Sequence, residues 1–248
     1  MAFRYSTGTS DSAKPTSFAW EFAVPVTPFW DSFSWKYAKC ILKAFTALEI
    51  QNLHLEQYKN ESETRKFDLM DKFLEEKLAL EEARYLAYGT TLQTADYDLW
   101  NKVLLAITLT STETGHLERA EKAHRSLIDG RTDLQDMTSI NNFASWLIHH
   151  TTKYDDARGF AIQSQNWIEK KLGRSSPQSI GNRKIIAETY WKENNSIKAN
   201  ETTVEIFECI DGLRDTRFAV YEESEREEAK EWEKKLKEEG NEEPSSVA

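Results

Sequence analysis

Ser145, Ile148, Ala157, Ile162 and Ile168 are each followed 42 residues later by a like residue, at Ala187, Tyr190, Ala199, Val204 and Ile210. A repeat of that length holds one helical hairpin with its connections. A hairpin that cannot bury its apolar stripe by itself is stable only when stacked on a neighbour, so the period points to an array. The small members constrain it most. Ser145, Ala157, Ala187 and Ala199 fall where two helices would approach too closely for a bulky side chain, and larger residues there would splay the pair.

The rest of the region keeps the same rhythm. From Asp96 onward the apolar periodicity divides into segments at about 97–112, 116–129, 135–151, 154–172, 177–194 and 196–211. Gly115, Gly130, Gly173 and Gly212 stand at their ends as expected stops, each in the left-handed conformation that satisfies exposed carbonyls. Six short helices in pairs make three hairpins. Only 5 prolines and 9 glycines interrupt 248 residues, so the expected fold class is all-α.

The N-terminal part has a longer stride. Asp31 is placed to cap a helix whose apolar line runs Phe33, Tyr37, Ile41, Phe45 and Leu48 and fades near Tyr58 to Asn60. A second helix over Glu61 to Tyr88, with Phe67, Met70, Leu74 and Leu78 on one stripe and Gly89 as its stop, would close a long antiparallel hairpin. Ahead of it, Phe18 to Tyr37 concentrates eight aromatic rings, and Pro25 and Pro28 keep its first part extended. The expected organisation is therefore 1–28 flexible or extended, 29–95 a long hairpin, 96–213 helical repeats, 214–240 a charged capping helix and 241–248 a disordered tail.

Lys171-Leu172-Gly173, then Pro177, Ala187, Tyr190 and Ala199, resembles the tetratricopeptide repeats of kinesin light chains. Those repeats run Leu-Gly, Pro four residues on, then Ala, Tyr and Ala at the same intervals. Lys153-Tyr154-Asp155-Asp156-Ala157 is similar to the family's Lys-Tyr-Glu-Glu-Ala, and Asn141-Asn142-Phe143-Ala144 to its Asn-Asn-Leu-Ala, one residue further from Ala157 than in the family. The likeness covers about Leu134 to Leu213, is weaker over Asp96 to Gly130 and does not reach residues 1–90. It implies a right-handed superhelix of stacked hairpins and adaptor work with a protein or peptide partner. In its register the concave face carries Asn142, Trp146 and His149 from one repeat and Lys184, Glu188 and Trp191 from the next. Trp anchors bury area at low entropic cost, and Asn and Lys suit a peptide backbone or carboxylate; inter-repeat packing is the competing role for both tryptophans.

Charge narrows the partners further. The net charge is -10, with 11 acidic and 5 basic residues in Tyr221 to Glu243 alone, and no basic face suited to phosphate is visible, so nucleic acid is not expected. No stretch approaches the ~20 apolar residues that span a bilayer. Cys40 and Cys209 lie far apart within apolar helical patterns, as reduced core thiols do, which makes the cytoplasm the default location.

Chemistry finds little support. His149 and His150 point about 100° apart on a helix and cannot share one ion; a helical zinc pair wants His at i and i+4. Asp155-Asp156 lacks the third carboxylate of a diphosphate–metal motif, since Gly159 and Phe160 stand where it should be. There is no phosphate loop, nucleophile elbow or Cys/His cluster, and no cofactor or metal is expected. The rivals to a binding scaffold are a small-molecule binder or enzyme that lines a pocket with the N-terminal aromatics, and a self-associating structural module.

Overall fold

Helix formation begins at Ser34, whose Oγ accepts the Tyr37 amide at 3.2 Å, and stops again within a few turns. The expected single helix from Asp31 to about Tyr58 is instead four pieces: a 3-10 turn Trp30–Ser32, α1 (Trp35–Leu42), α2 (Ala47–Asn52) and a 3-10 turn Leu55–Tyr58. Two local signals break it. Thr46 and Glu49 form a reciprocal capping box, with Thr46 N donating to Glu49 Oε2 at 2.6 Å and Glu49 N to Thr46 Oγ1 at 3.3 Å, which starts a new helix in place of continuing the old one. His54 then takes a left-handed φ of 49°. The proposed apolar line fails at the same place, because Leu48 is 65% exposed.

In this computed structural model residues 3–5, 23–130 and 137–241 are described, and the chain divides into two compact units, Met1–Arg131 and Thr132–Ala248. The first unit opens with two three-residue strands, β1 (Phe3–Tyr5) and β2 (Ala23–Pro25), paired antiparallel with Phe3 opposite Pro25. After α1 and α2 come α3 (Glu63–Ala87), α4 (Leu92–Ala95), α5 (Tyr97–Glu113) and α6 (Leu117–Asp129). Helix α3 is the long helix the sequence indicates, capped by Ser62 and followed by Gly89 at a positive φ of 74°.

Phe29, Trp30 and Phe33, each at most 2% exposed, pack with Phe67, Met70 and Leu74 of α3 and with Trp100, Val103 and Ile107 of α5 in one core. Phe33 meets Phe67 edge to face at 4.7 Å. Phe29, Trp30 and Phe33 are therefore part of the interior of this unit; Phe18, Trp20 and Phe22 lie outside the described residues. The same core runs across residue 95, the expected end of the long hairpin. Helices α5 and α6 belong with α3, and the division falls after Arg131.

Buried polar groups pin this unit together. Asp71 of α3, 1% exposed, accepts from Thr110 Oγ1 and Ser111 Oγ at 2.7 Å each and from Arg119 at 2.5 Å. Arg119 Nε also reaches Glu75 at 2.9 Å, so one guanidinium ties α6 to two turns of α3. Lys66, 3% exposed, has its ammonium satisfied by Ser32 Oγ at 2.6 Å and Pro28 O at 3.1 Å.

The second unit contains α7 (Thr138–His150), α8 (Tyr154–Leu172), α9 (Pro177–Lys192), α10 (Ser196–Asp211) and α11 (Glu222–Asn241). Its period is visible in space. Helices α7 and α9 end at His150 and Lys192, and α8 and α10 begin at Tyr154 and Ser196, so both hairpin turns recur after 42 residues. Ala157, Ala187 and Ala199 are fully buried, Ile168 and Ile210 are buried, and Ile162 and Val204 are both exposed. Successive helices pack as α7 on α8, α8 on α9 and α9 on α10, and α7 also meets α9.

The expected glycine stops divide into two kinds. Gly115 and Gly173 have positive φ of 77° and 89°, whereas Gly130 and Gly212 keep right-handed backbone at φ -77° and -70°. Gly212 runs on into a 3-10 turn, Gly212–Asp215, and Gly130 is small for a steric reason taken up below. Helix α11 packs on α9 and α10 through Ala229 and Trp232. The expected tail beyond residue 241 lies outside the described residues.

Candidate functional site

The α7/α9 face carries all six residues indicated by the sequence, but they do not form one open groove. Asn142 is exposed on α7. Trp146, one turn on, is only 8% exposed, stacked on Phe143 at 6.1 Å with His150 tilted over it at 5.5 Å. His149 is exposed; its Nδ1 lies 2.9 Å from Ser145 O, and its Nε2 lies 3.8 Å from Glu188 Oε1. That approach joins α7 to α9 at the surface.

On α9, Lys184 departs from the expectation. Its ammonium lies 3.5 Å from Glu225 of α11, with both side chains 16% exposed, so it is engaged in holding the cap. Trp191 is half-buried, and its Nε1 is enclosed with no hydrogen-bond partner among the described residues. Tryptophan packing is therefore the better account of both Trp146 and Trp191. The exposed residues of the six are Asn142 and His149, with the half-buried Glu188 beside His149.

Behind this face lies a polar interior that periodicity gave no sign of. Arg183, 7% exposed, donates to Ser179 Oγ at 2.6 Å, pairs with Glu169 and lies 3.6 Å from Glu205. Gln165 donates to the same Ser179 at 2.8 Å, and the fully buried Asn182 donates to Ser164 at 2.9 Å. Burial pushes the Glu169 carboxyl up, but hydrogen bonds from Gln165 and Arg183 outweigh it and hold the group below the ordinary 4.5. Arg158 of α8 fastens the other end of α9, donating to Glu193 at 2.6 Å and Thr189 at 3.2 Å while lying 4.6 Å from the Tyr190 ring. These contacts fix the register of the hairpins beneath the exposed face.

The first unit holds a trough of about 670 Å³. Its floor is Trp100, Leu104 and Ile107 of α5, and its walls are Glu75, Leu78, Ala79 and Glu82 of α3 and Arg119, Lys122, Ala123 and Ser126 of α6. A smaller cavity of about 410 Å³ touches Trp30, Ile50 and Leu55. Neither brings a nucleophile to a base, and no group of His, Cys, Asp and Glu suited to a metal ion occurs among the described residues.

No family model, curated protein or solved structure matches the chain. Among the described residues no helix is long and apolar enough to cross a membrane.

Proposed function

We propose that this chain is a non-enzymatic scaffold of tetratricopeptide-like hairpins that holds a peptide segment of another protein against the α7/α9 face. The right-handed superhelical stacking of such repeats belongs to the same proposal. One observation carries it: the 42-residue period sets two hairpin turns in register and brings the first helices of both hairpins side by side, so Asn142, His149 and Glu188 share one surface. An exposed Asn amide pairs with a peptide backbone as donor and acceptor, and the exposed His149 imidazole offers a second polar contact further along the same helix. The buried Arg183 and Arg158 clusters keep that surface rigid, which lowers the entropic cost of binding.

Site-specific photo-crosslinking tests this reading. A photoreactive residue at Asn142 should capture one discrete protein from native extract, the same residue at exposed Gln163 on α8 should not, and His149→Ala combined with Glu188→Ala should abolish the capture. Equal capture from both positions, or capture indifferent to the double variant, would remove the α7/α9 face from the function.

A further inference from the structure

The trough of the first unit is shaped by three helices that present the same spacing to it. On α5 the floor residues are Trp100, Leu104 and Ile107, and the walls follow positions i, i+3, i+4 and i+7 along α3 from Glu75 and along α6 from Arg119. At 1.5 Å per residue the floor runs about 10 Å. Its ends are closed by polar bridges, with Arg119 reaching Asp71 and Glu75 at one and Gln93 donating to Gly130 O at 2.6 Å at the other.

Two features distinguish the trough from a small-molecule cavity. The α3 wall does not stop with it: Leu86, eleven residues beyond Glu75 and on the same side of the helix, is 71% exposed and extends the apolar line a further turn. The walls also differ in charge. Glu82 on α3 and Lys122 on α6 stand on opposite walls of the trough, both exposed and with no ion pair among the described residues, whereas Arg119 is shared between Glu75 and the buried Asp71 at one end and the exposed Asp129 stands beside Gly130 at the other.

We infer that the trough is a docking site for an amphipathic helix of a partner protein, whose apolar stripe lies over Trp100, Leu104 and Ile107, with basic residues on the flank against Glu82 and acidic residues on the flank against Lys122. A helix laid between α3 and α6 meets surfaces of its own period, as ridges meet grooves, and completes a four-helix cluster on α5. The mixed rim charge selects a partner with one flank of each sign and disfavours a helix that is basic or acidic on both. This site lies in the first unit and is independent of the α7/α9 reading.

Three synthetic alanine-based helices test it on the full chain, sharing one leucine stripe and differing only in their flanks: basic and acidic, basic on both, or acidic on both. The mixed peptide should bind tightest. Glu82→Lys should shift the preference to the doubly acidic peptide and Lys122→Glu to the doubly basic one, each reversal changing affinity about fivefold at low salt and less at high salt. Ala79→Glu, on an exposed wall position, should weaken all three. The inference is overturned if no peptide binds, if the three bind alike, or if the charge reversals leave their ranking unchanged. The probes read residues of the first unit only, so their failure leaves the α7/α9 proposal standing.

Discussion

Replacing Gly130 and Gly181 separately with alanine makes the same chemical change with opposite expected effects. Gly130 ends α6 at φ -77° and ψ -1°, values open to any residue, so conformational freedom is not the reason for glycine there. Space is. A methyl group at Gly130 would stand 2.8 Å from Gln93 Nε2 and 2.9 Å from Ser126 O, and would overlap the Trp100 ring. Gln93 can swing away with the loss of its bond to Gly130 O, but Trp100, 6% exposed, is fixed in the core of α5. Overpacking of this kind costs ~1–3 kcal/mol. The stiffer unfolded chain returns ~0.4–1 kcal/mol, which leaves a net loss of about 1–2 kcal/mol. Gly181 lies inside α9, where a methyl would meet nothing within 4 Å, so Gly181→Ala should gain ~0.5–1 kcal/mol. Calorimetric melts should show Gly130→Ala several degrees below the parent and Gly181→Ala a few degrees above it. A Gly130→Ala protein as stable as the parent would refute the rigid Trp100 wall, and a destabilised Gly181→Ala would refute the open space on α9.

Ala199→Phe should cost ~1–3 kcal/mol by overpacking the α9/α10 contact, and an unchanged melting temperature would mean that the small residues do not set the helix approach. Lys184→Glu should loosen α11 and cost roughly 0.5–1 kcal/mol by facing Glu225 with a like charge; adding Glu225→Lys should restore most of it, and a double-mutant cycle in urea melts that shows no coupling would refute the pairing. Burial pushes Glu49 up, yet the Lys77 ammonium and the Thr46 amide hold its carboxyl below 4.5, as Gln165 and Arg183 do for Glu169. Because both folded values lie below the unfolded one, their stabilisation is present above about pH 4.5 and is lost as pH falls through the folded values. Glu169→Gln should flatten the fall in urea midpoint between about pH 5 and 3, and an unaltered slope would refute its role.

What the sequence made legible was whatever repeats locally. The bounds of α8 and α10 follow from the spacing of apolar residues, and the turns before them recur 42 residues apart. The N-terminal hairpin misled because the line from Phe33 to Leu48 is compatible with one helix, while the Thr46–Glu49 capping box that divides it starts two residues before Leu48. Apolar spacing states which face is buried; it does not state where the backbone restarts. The same holds for the division between the two units, since α5 shares its core with Phe29, about seventy residues away in the chain.

The site was less legible than the fold for a related reason. The tetratricopeptide resemblance would put Lys184 on a ligand-facing surface, but whether its charge is available depends on α11, which arrives some forty residues later and sets Glu225 against it. A lysine that neutralises a cap cannot also serve a ligand without releasing that cap. Removing Lys184 from the contact set leaves the exposed Asn142 and His149 of α7, with His149 lying 3.8 Å from Glu188 of α9 without help from α11. The trough of the first unit is the converse case. None of Glu82, Ala79 or Lys122 belongs to a recognisable motif, and only the packing of α3 and α6 on either side of α5 gives their spacing a common direction. Binding surfaces on helical hairpins are thus properties of neighbouring helices, and the residues that define them are ordinary surface residues until those neighbours are known.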